Sequence, residues 1–459
     1  MHIFEPLIFF KTIDMKKIFL GILVLVLLAF GILAKYLIDR STIFTGFAAK
    51  NVASGIFVAD RTQESIEALD IDFFPVNLAT TVVDMENKTV TSDFFGFGKQ
   101  IAVFRQGLGC TLIGDKTIEE VKQQKSIIPM TRIYKREEFW PQGDLKRDTV
   151  LEFVNEVKLQ GAIDAAMEQG NSRAIIVAYD TLMNWESYSD GFDKNTPILG
   201  WSMSKSITST MIGILAKQGK LNIDGPAPVK EWSNDSRKNI SIRNLLQMTS
   251  GLQWVEDYGD ISEATIMLYS SIDIAKYAIS VPSAFPPDSV WYYSSGSSNI
   301  LSEIIKRQFA DIKDYWTFPQ YEIFHKIGMK HTIMETDAVG TFVGSSYTYA
   351  PARDWARYGL LYLQNGIWRG DTIVTPEWVD FTREEAPNSN GKYGAQFWLN
   401  LSGHEVPDAP KDVYFADGYQ GQRIYIIPSK KLVIVRFGVS KKGEFDYNKL
   451  VTSVIDAFE

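Results

Sequence analysis

The stretch SMSKSITSTMIGILAKQGKLNID, from Ser202 to Asp224, joins a short polar motif to an apolar segment with helical spacing. Four apolar residues recur at intervals that place them on one face of a helix: Ile207, Met211, Ile214 and Leu215. Gly219 follows as a typical C-terminal stop. The pattern predicts that a helix with one buried face begins at Ser202.

Ser202 and Lys205 form an S-x-x-K pair in the first turn of that helix. Residues three apart on a helix are neighbours, with roughly 5–6 Å between their Cβ atoms, so the amine can reach the hydroxyl. A lysine takes a serine proton only if burial or a nearby cation lowers its pKa, and the apolar helix face supplies burial. Backbone N–H groups at a helix start also suit a developing oxyanion. The sequence therefore predicts Ser202 as a nucleophile and Lys205 as its base.

The spacing alone is not specific, because S-x-x-K occurs again at Ser389 and Lys392. The second copy lies in the turn-like run Asn-Ser-Asn-Gly-Lys, where no helix is predicted to hold the pair, and we interpret it as a chance match. For the first copy, the simplest alternative is a capped helix with a surface lysine. The surrounding sequence has to decide between these two interpretations.

Four segments of that surrounding sequence occur in a characteristic order: SMSKSITSTMIGILAKQGKLNID (202–224), IRNLLQMTSGL (242–252), YSSGSSNIL (293–301) and RDWARYGLLYL (353–363). Together they resemble the penicillin-recognising serine hydrolases. These include class C β-lactamases, low-molecular-weight penicillin-binding proteins, related esterases and, as the nearest resemblance, nylon-oligomer (6-aminohexanoate-dimer) hydrolase-like proteins. The resemblance covers residues 150–458. It implies an α+β fold of the β-lactamase/transpeptidase-like type and an acyl-enzyme formed on Ser202.

The resemblance also implies roles for two residues of the third segment. Tyr293 falls on the tyrosine of the family's Tyr-x-Asn motif, whose phenol relays a proton to the leaving group. Without the other motifs, Tyr293 would be interpreted as a core aromatic beside Trp291 and Tyr292. Ser295 stands where the family often has asparagine, so a shorter hydrogen-bonding group is expected at this substrate-binding position.

A further family motif, Lys-Thr-Gly or His-Thr-Gly, should precede the last strand hairpin, and the nearest match is Ala416-Asp417-Gly418. In β-lactamases and transpeptidases the missing cation holds the substrate carboxylate, so its absence favours a neutral ester or amide substrate. Gly418 is expected to let substrate approach the strand edge, and the Tyr419 N–H to act as a second oxyanion donor. We interpret Arg423 as an exposed strand residue and not as a substitute cation.

The acidic run from Glu256 to Asp260 resembles the tyrosine-containing segment that lies over the active site of nylon-oligomer hydrolases. The resemblance makes Tyr258 a candidate substrate-binding residue. A solvated acidic loop is the alternative interpretation of this run.

Near the N-terminus, Lys11, Lys16 and Lys17 precede an uninterrupted apolar run from Ile18 to Ala34. The run is just long enough to cross a hydrocarbon core of about 30 Å as a helix, and it is long for a cleavable signal. The segment is either an uncleaved membrane anchor or a signal peptide that is removed. The lack of a small-x-small cleavage site favours the uncleaved anchor. Lysines before the run predict a single-pass protein of the cell membrane, with the remainder exported to the periplasmic or extracellular side.

Three regions follow from these observations. Residues 1–40 are predicted to be a membrane anchor or signal, residues 41–150 a β-rich N-terminal subdomain of unknown role, and residues 151–459 the hydrolase domain. The strand-like pieces of the subdomain are Gly55–Val58, Thr89–Thr91 and Ile101–Phe104.

The hydrolase domain reads as helices around an antiparallel sheet. Its predicted strands are 174–179, 185–188, 423–427 and 432–437, and its predicted flanking helices are 150–169 and 447–458. Strands from both ends of the domain predict a central antiparallel sheet flanked by helices, with a helical subdomain between them.

Composition excludes several classes of function. Acidic and basic residues are intermixed, with a net charge of −8, and no basic block is present to follow a phosphate backbone, so no nucleic-acid partner is predicted. Cys110 is the one cysteine, and the four histidines lack metal-ligand spacing, so no metal or cofactor is expected.

A Ser-His-Asp hydrolase of the α/β-hydrolase type would need the motif Gly-x-Ser-x-Gly, but the run from Gly200 to Ser204 lacks the second glycine.

The sequence thus predicts a serine hydrolase that cleaves a small-molecule or peptide-like ester or amide through an acyl-enzyme. Two alternatives are a penicillin-binding protein or D,D-peptidase, and a β-lactamase, both acting on cell-wall-like substrates. A non-catalytic ligand sensor in a decayed cleft belongs to a different class. The retained Ser202, Lys205 and Tyr293 disfavour the sensor, because decay would most easily remove them.

Overall fold

A computed structural model describes residues 15–126, 138–441 and 443–459 of the chain. It opens with a helix of 43 residues, α1 (Met15–Phe57), which is exposed over its first half and largely buried from Ser41 onward. Among the described residues, α1 is the one helix long and apolar enough to cross a membrane; its most apolar 18 residues have a mean hydropathy of 2.7, and none of them is buried. Lys11 and the side chain of Lys17, used to predict the orientation, lie outside what the structure describes.

Helix α1 passes through residue 40 without a break. The strand predicted at Gly55–Val58 was wrong, because these residues form the end of α1 and the turn after it. A short apolar run is compatible with a buried helix as well as with a strand. Here the run continues α1, and it packs against the segment that follows. A Cβ on Gly55 would lie 2.4 Å from Ile66 Cδ1, so the bare helix backbone lets the next segment pack closely. The division into domains at residues 40 and 150 stays a prediction.

A small antiparallel sheet follows α1. The elements after α1 are α2 (Gln63–Leu69), β1 (Thr80–Asp84), β2 (Thr89–Phe94), β3 (Phe97–Arg105), β4 (Gly109–Leu112) and α3 (Ile118–Lys122). The strands pair in the order β1-β2-β3-β4, and β2 and β3 lie along the buried half of α1. The strands predicted at Thr89–Thr91 and Ile101–Phe104 are confirmed as parts of β2 and β3. Residues 127–137 of the predicted subdomain lie outside the described residues.

The hydrolase region is built on a central antiparallel sheet. The remaining strands are β5 (Ser172–Tyr179), β6 (Leu182–Tyr188), β7 (Ile198–Leu199), β8 (Ile333–Met334), β9 (Thr348–Ala350), β10 (Ile367–Trp368), β11 (Asp371–Thr372), β12 (Trp398–Leu399), β13 (Tyr414–Gly418), β14 (Gln422–Ile427) and β15 (Leu432–Gly438). Six of them form the central sheet in the order β12-β13-β14-β15-β5-β6. The predicted hairpins are confirmed as the antiparallel pairs β5–β6 and β14–β15. Two smaller sheets have the orders β7-β9-β8 and β10-β11.

Strand β15 pairs with both β14 and β5, and all its residues are buried. Because side chains alternate between the two faces of a strand, β15 contributes to two cores. Val433 and Val435 belong to the larger apolar cluster, and Leu432 and Ile434 belong to the second. Since both faces of the sheet are apolar, each of them needs a layer of helices.

Helices supply those layers. They are α4 (Glu156–Met167), α5 (Ser204–Lys217), α6 (Ile242–Gln247), α7 (Glu263–Ser270), α8 (Ile274–Ser280), α9 (Ser295–Lys306), α10 (Ile312–Pro319), α11 (His325–Ile327), α12 (Ala352–Leu363), α13 (Pro376–Arg383) and α14 (Tyr447–Asp456). Helices α4 and α14 share the second cluster with the sheet, whereas α12 packs on β14 and β15 within the larger one. Helices α5 to α9 form a helical region next to the sheet. The predicted α+β architecture is confirmed.

A buried cluster of charged and polar groups joins α1 to the hydrolase region. Lys50 forms an ion pair with Glu335, and their side chains are 4% and 0% exposed. Glu335 also accepts hydrogen bonds from Ser54 Oγ at 2.9 Å and from the Cys110 N–H at 2.6 Å. These contacts hold α1 in position. If any one partner were removed, either the Glu335 charge or a hydrogen-bond donor would stay buried without a partner, which is costly.

We expect Lys50→Met to destabilise the fold strongly, by about 3–5 kcal/mol, because Glu335 would keep a buried charge without its ion pair. Lys326→Met is the matched control, since Lys326 and Glu322 form a half-exposed i,i+4 pair whose loss should cost less than about 1 kcal/mol. Thermal unfolding of the detergent-solubilised protein measures both. Equal shifts for the two variants would contradict a structural role for the Lys50 cluster.

Candidate active site

Ser202 lies in a tight 3-10 turn, Trp201–Met203, directly before α5. The helix predicted to begin at Ser202 begins at Ser204, because Trp201 has a φ of +47° and turns the chain sharply. A bulky residue in this left-handed region is strained, and such strain persists only where surrounding contacts hold it. The Trp201 ring is held by Phe47 of α1 at 5.8 Å and by Tyr419 at 5.6 Å between ring centroids. The turn leaves Ser202 half-buried.

Lys205 faces Ser202 from the first turn of α5 and is 1% exposed. Its Nζ lies 2.9 Å from Ser202 Oγ, 3.0 Å from Ser295 Oγ and 3.0 Å from the Ser345 carbonyl oxygen. Burial lowers the pKa of Lys205 from its ordinary value to about 8, although Glu256 and Asp417 oppose that shift. The structure thus brings Ser202 and Lys205 within hydrogen-bond distance and buries the amine almost completely from solvent.

Tyr293 completes a group of three with Ser202 and Lys205. Lys205 Nζ lies 4.8 Å from the centroid of the Tyr293 ring. Burial raises the pKa of the Tyr293 phenol well above its ordinary value, and the neighbours Tyr393 and Glu256 add to the rise, while a hydrogen bond with Ser202 opposes it. The phenol is therefore protonated at neutral pH and can donate a proton next to the Ser202 hydroxyl.

Ser295 and Tyr258, the two predicted substrate-binding residues, meet at the carboxylate of Glu256. Glu256 accepts hydrogen bonds from the Ser295 hydroxyl, from the Ser295 N–H at 2.8 Å and from the Tyr258 hydroxyl at 2.8 Å. The Tyr258 and Ser295 hydroxyls are 3.3 Å apart. Since Ser295 in turn contacts Lys205, one chain of hydrogen bonds connects the acidic loop to the base.

Glu256 was missed as a functional residue by sequence reasoning, although it lies in the acidic run that the sequence singled out. Tyr258, two positions later, offered a signal for it. If the Tyr258 side chain lies in the site, residues next to it in the sequence must also lie close to the site. Asn299 was missed as well. Its side chain bonds the Ser345 N–H at 3.2 Å and the Ser345 hydroxyl at 3.0 Å, so it positions the carbonyl that binds Lys205. Asn299 lies in the YSSGSSNIL motif, which offered a signal for it.

Gly418 and Tyr419 lie at the end of β13, beside the turn that carries Ser202. A Cβ on Gly418 would lie 2.2 Å from the Gly200 carbonyl oxygen. The bare backbone is therefore required by packing against the turn that carries Ser202, in addition to any approach of substrate. The Tyr419 ring packs on Tyr258, with 5.2 Å between centroids, and covers the site from the strand side.

The interpretation of Arg423 as exposed was wrong, because its residue is 9% exposed. Its guanidinium forms ion pairs with Asp417 at 2.6 Å and Glu405 at 2.5 Å. Ala416, in the place of the family's cation, is 1% exposed and belongs to the larger apolar cluster. Two carboxylates thus balance the one arginine of this strand end, and it offers no unpaired charge to a substrate carboxylate.

A cleft of about 1900 Å³ borders the site along Asp417, Gly418 and Tyr419. Its far wall includes Phe73 and Phe74, which lie between α2 and β1. Ser202 is not among its lining residues, so the cleft reaches the neighbourhood of Ser202 at the end of β13 without containing that residue. Within the described residues, no cluster of three or more histidine, cysteine or acidic side chains is arranged to hold a metal ion.

Residues 159–456 match the sequence profile of the beta-lactamase family, which is well over half of the chain. The chain belongs to the beta-lactamase family. The resemblance seen in the ordered motifs is thereby confirmed at the level of the family. The match begins in α4 and ends in α14, so α1 and the small sheet lie before the region that defines the family.

Individual relatives agree with this assignment. The 6-aminohexanoate-dimer hydrolase of Paenarthrobacter ureafaciens is 22% identical over 304 residues, which cover 60% of this chain and 74% of that protein. A family VIII carboxylesterase has a similar structure, with a TM-score of 0.52 and 14% identity over 68% of this chain and 98% of its own. A penicillin-binding protein homologue from Caulobacter crescentus gives a TM-score of 0.51 and 14% identity over 65% of this chain and 95% of its own. At these identities the solved structures show a shared fold.

We expect Glu256→Gln to lower the pKa of Lys205, because the Glu256 charge raises that pKa in the wild type. Fluorophosphonate labelling of Ser202 should accelerate with rising pH through about 8 in the wild type and through a lower pH in the variant. Asp257→Asn is the matched control, since Asp257 is exposed and is not among the groups that shift the pKa of Lys205. A midpoint that rises or stays unchanged in Glu256→Gln would contradict the coupling.

Proposed function

We propose that this protein is a serine hydrolase that cleaves ester or amide bonds through an acyl-enzyme on Ser202. The observation that carries the proposal is the 2.9 Å contact between Ser202 Oγ and a lysine amine whose pKa is lowered to about 8. A buried lysine with this pKa is partly neutral near pH 7, so it can accept a proton. Membership of a hydrolase-containing family and the likeness to the aminohexanoate-dimer hydrolase support the same reaction.

The reaction proceeds in two halves. Lys205 takes the proton of Ser202, the serine oxygen attacks the substrate carbonyl carbon, and the carbonyl oxygen becomes an oxyanion. Backbone N–H groups of Ser202 and Tyr419 are the proposed donors to that oxyanion. The carbon–leaving-group bond then breaks while Tyr293 gives its proton to the leaving group and regains one from Lys205. Water then gives a proton to Lys205 and attacks the carbonyl carbon of the ester on Ser202. The bond from that carbon to the Ser202 oxygen breaks, the serine oxygen takes the proton from Lys205, and the acid is released.

The proposed substrate is neutral at the position where many relatives of this fold bind a carboxylate. Ala416 is buried and apolar there, and the charge of Arg423 is balanced by Asp417 and Glu405. A substrate carboxylate at the end of β13 would meet Asp417 and Glu405, which already pair with Arg423, and like charges in a partly buried site repel. This disfavours the penicillin-binding, D,D-peptidase and β-lactamase alternatives.

We further propose that α1 anchors the protein in the cell membrane and that the hydrolase region is exported. The support is the exposed apolar stretch of α1 and the lysine that precedes it. Residues 41–150, as the proposed subdomain, then hold the anchor rigidly on the hydrolase domain, because their strands and the buried half of α1 form one packed unit. An uncleaved anchor fits the structure, since α1 runs without a break from the apolar stretch into the buried residues after Ser41.

The nucleophile is tested by labelling the membrane-inserted protein with a fluorescent fluorophosphonate and, in parallel, with a fluorescent penicillin. We expect fluorophosphonate labelling of wild type and its loss in Ser202→Ala, because Ser202 is the proposed nucleophile and the other serine beside Lys205, Ser295, donates its hydroxyl proton to Glu256. Ser389→Ala, in the second S-x-x-K copy, is the control and should label like wild type. Equal labelling of wild type and Ser202→Ala, or none in either, would refute the proposal. Penicillin labelling without ester turnover would favour a penicillin-binding protein.

Tyr293 is tested by Tyr293→Phe with two esters that share an acyl group. With an alkyl ester, whose leaving group needs a proton, kcat should fall by roughly 10²–10⁴-fold. With a nitrophenyl ester, whose leaving group departs as an anion, the loss should be much smaller. Tyr393→Phe is the matched control, because that ring lies 5.9 Å from Tyr293 and has no proposed role in proton transfer. Equal losses with both esters would argue against Tyr293 as the acid.

A further inference from the structure

The tip of the β2–β3 hairpin carries two large apolar side chains in water. Phe95 is 86% exposed and Phe97 is 49% exposed. Phe95 and Gly96 are the central residues of the turn, with φ values of +50° and +83°. Turns with positive φ at both central positions favour Asn-Gly or Asp-Gly, and a bulky aromatic at the first position is strained. A strained, exposed phenylalanine is unfavourable on the isolated domain, which points to a surface that covers it.

Contacts with α1 show which way this tip points. Gly98, the second residue of β3, lies against Ser41, since a Cβ on Gly98 would meet the Ser41 hydroxyl at 2.3 Å. Thr45 donates a hydrogen bond to the Gly98 carbonyl oxygen. The start of β3 is therefore level with the first buried turn of α1.

The other end of β3 lies level with a later part of α1. Phe104 pairs with Cys110, whose N–H bonds Glu335, the partner of Lys50. From Gly98 to Phe104, the strand thus follows α1 from Ser41 towards Lys50. The residues before Gly98 must extend in the opposite direction, towards the exposed apolar half of α1.

Element lengths give the level that the tip reaches. From Ala34, the last residue of the apolar run, to Ser41 a helix advances about 10 Å, at about 1.5 Å per residue. The strand itself begins at Phe97, and the turn residues before it add less length than a strand would. The Phe95 ring lies 5.0 Å from the Phe94 ring, which lies 5.4 Å from the Phe44 ring of α1. Because the two elements run side by side, the tip lies beside the stretch of α1 between Ala34 and Ser41.

We infer that Phe95 and Phe97 insert into the interfacial layer of the same bilayer that holds α1, as a second membrane contact. This inference rests on the proposed anchoring of α1. Aromatic side chains favour the membrane–water interface, where an apolar ring beside polar groups is stable. A bilayer suits the tip because the tip lies beside the stretch of α1 that directly follows the apolar run. Two neighbouring membrane contacts would fix the tilt of the hydrolase domain.

Two residues of α1 just after the apolar run, Tyr36 and Arg40, support the assignment. The Arg40 guanidinium lies 3.6 Å from the centroid of the Tyr36 ring and forms an ion pair with Asp260 at 2.8 Å. Tyrosine and arginine near the end of an apolar helix are typical of the interface. Asp260 ends the acidic loop that carries Tyr258, so the loop over the active site is tied to the membrane end of α1.

The test places an environment-sensitive fluorophore at single sites of the full chain in liposomes of phosphatidylcholine and phosphatidylglycerol, with lipids that carry spin-label quenchers at known depths. Phe95→Cys reports on the tip and Leu25→Cys reports on the anchor. Met85→Cys is the matched control, because Met85 is 65% exposed in the β1–β2 turn, at the opposite end of the same sheet. Cys110 is buried, and wild type treated with the same thiol-reactive fluorophore measures its contribution.

We expect a blue-shifted spectrum and quenching by shallow spin labels at position 95, quenching by deep labels at position 25, and neither change at position 85. Quenching at 25 without quenching at 95 would overturn the inference and leave the anchor standing, and shielding at 95 without lipid quenching would indicate a protein partner in place of the bilayer. No quenching at either site would refute both. Fluorophosphonate labelling of the same samples tests the proposed serine hydrolase activity independently of membrane insertion. It also shows that the active site of each variant is folded.

Discussion

The 2.9 Å contact between Ser202 Oγ and the Lys205 amine, in a site where Lys205 is 1% exposed, is the interaction on which the rest of the site depends. An exposed lysine stays charged at neutral pH and cannot take a proton, so the fold has to shield this amine from water. Burying an amine without hydrogen-bond partners would destabilise the fold, so hydrogen-bond acceptors have to be buried beside it. Ser295 at the start of α9 and the carbonyl of Ser345 meet that need. Burial lowers the pKa of Lys205 to about 8, against the opposing effect of the Glu256 and Asp417 charges.

The position of Ser202 depends on contacts from distant parts of the chain. Trp201 adopts a left-handed conformation that needs support, and Phe47 of α1 and Tyr419 after β13 pack on its ring. Gly418 allows β13 to approach the turn closely. Since Phe47 precedes the region that defines the family, the N-terminal helix of this chain takes part in holding the nucleophile turn. The same helix therefore connects the site to the apolar stretch proposed to enter the membrane.

The sequence predicted what is local and missed what is long-range. Lys205 lies one turn from Ser202, so spacing and helical pattern were enough to pair them, and strand alternation was enough for the two hairpins of the central sheet. Glu256 bonds Ser295 across 39 positions, and the Ser345 carbonyl reaches Lys205 across 140, so neither contact has a local signature. Arg423 was misjudged for the same reason, because its burial depends on carboxylates brought in by other segments. The course of α1 beyond residue 40 was missed because tertiary packing decides that boundary.

The central claim is that the neutral form of Lys205, which burial makes accessible by lowering the pKa to about 8, activates Ser202. The most direct measurement is the pre-steady-state burst of leaving group from a nitrophenyl ester, followed across pH, with the acylated peptide mapped by mass spectrometry after acid quenching. The account predicts a burst rate that rises about tenfold per pH unit below about pH 8 and then levels off, with the acyl group on Ser202. A burst rate independent of pH over that range, or an acyl group on another residue, would contradict it.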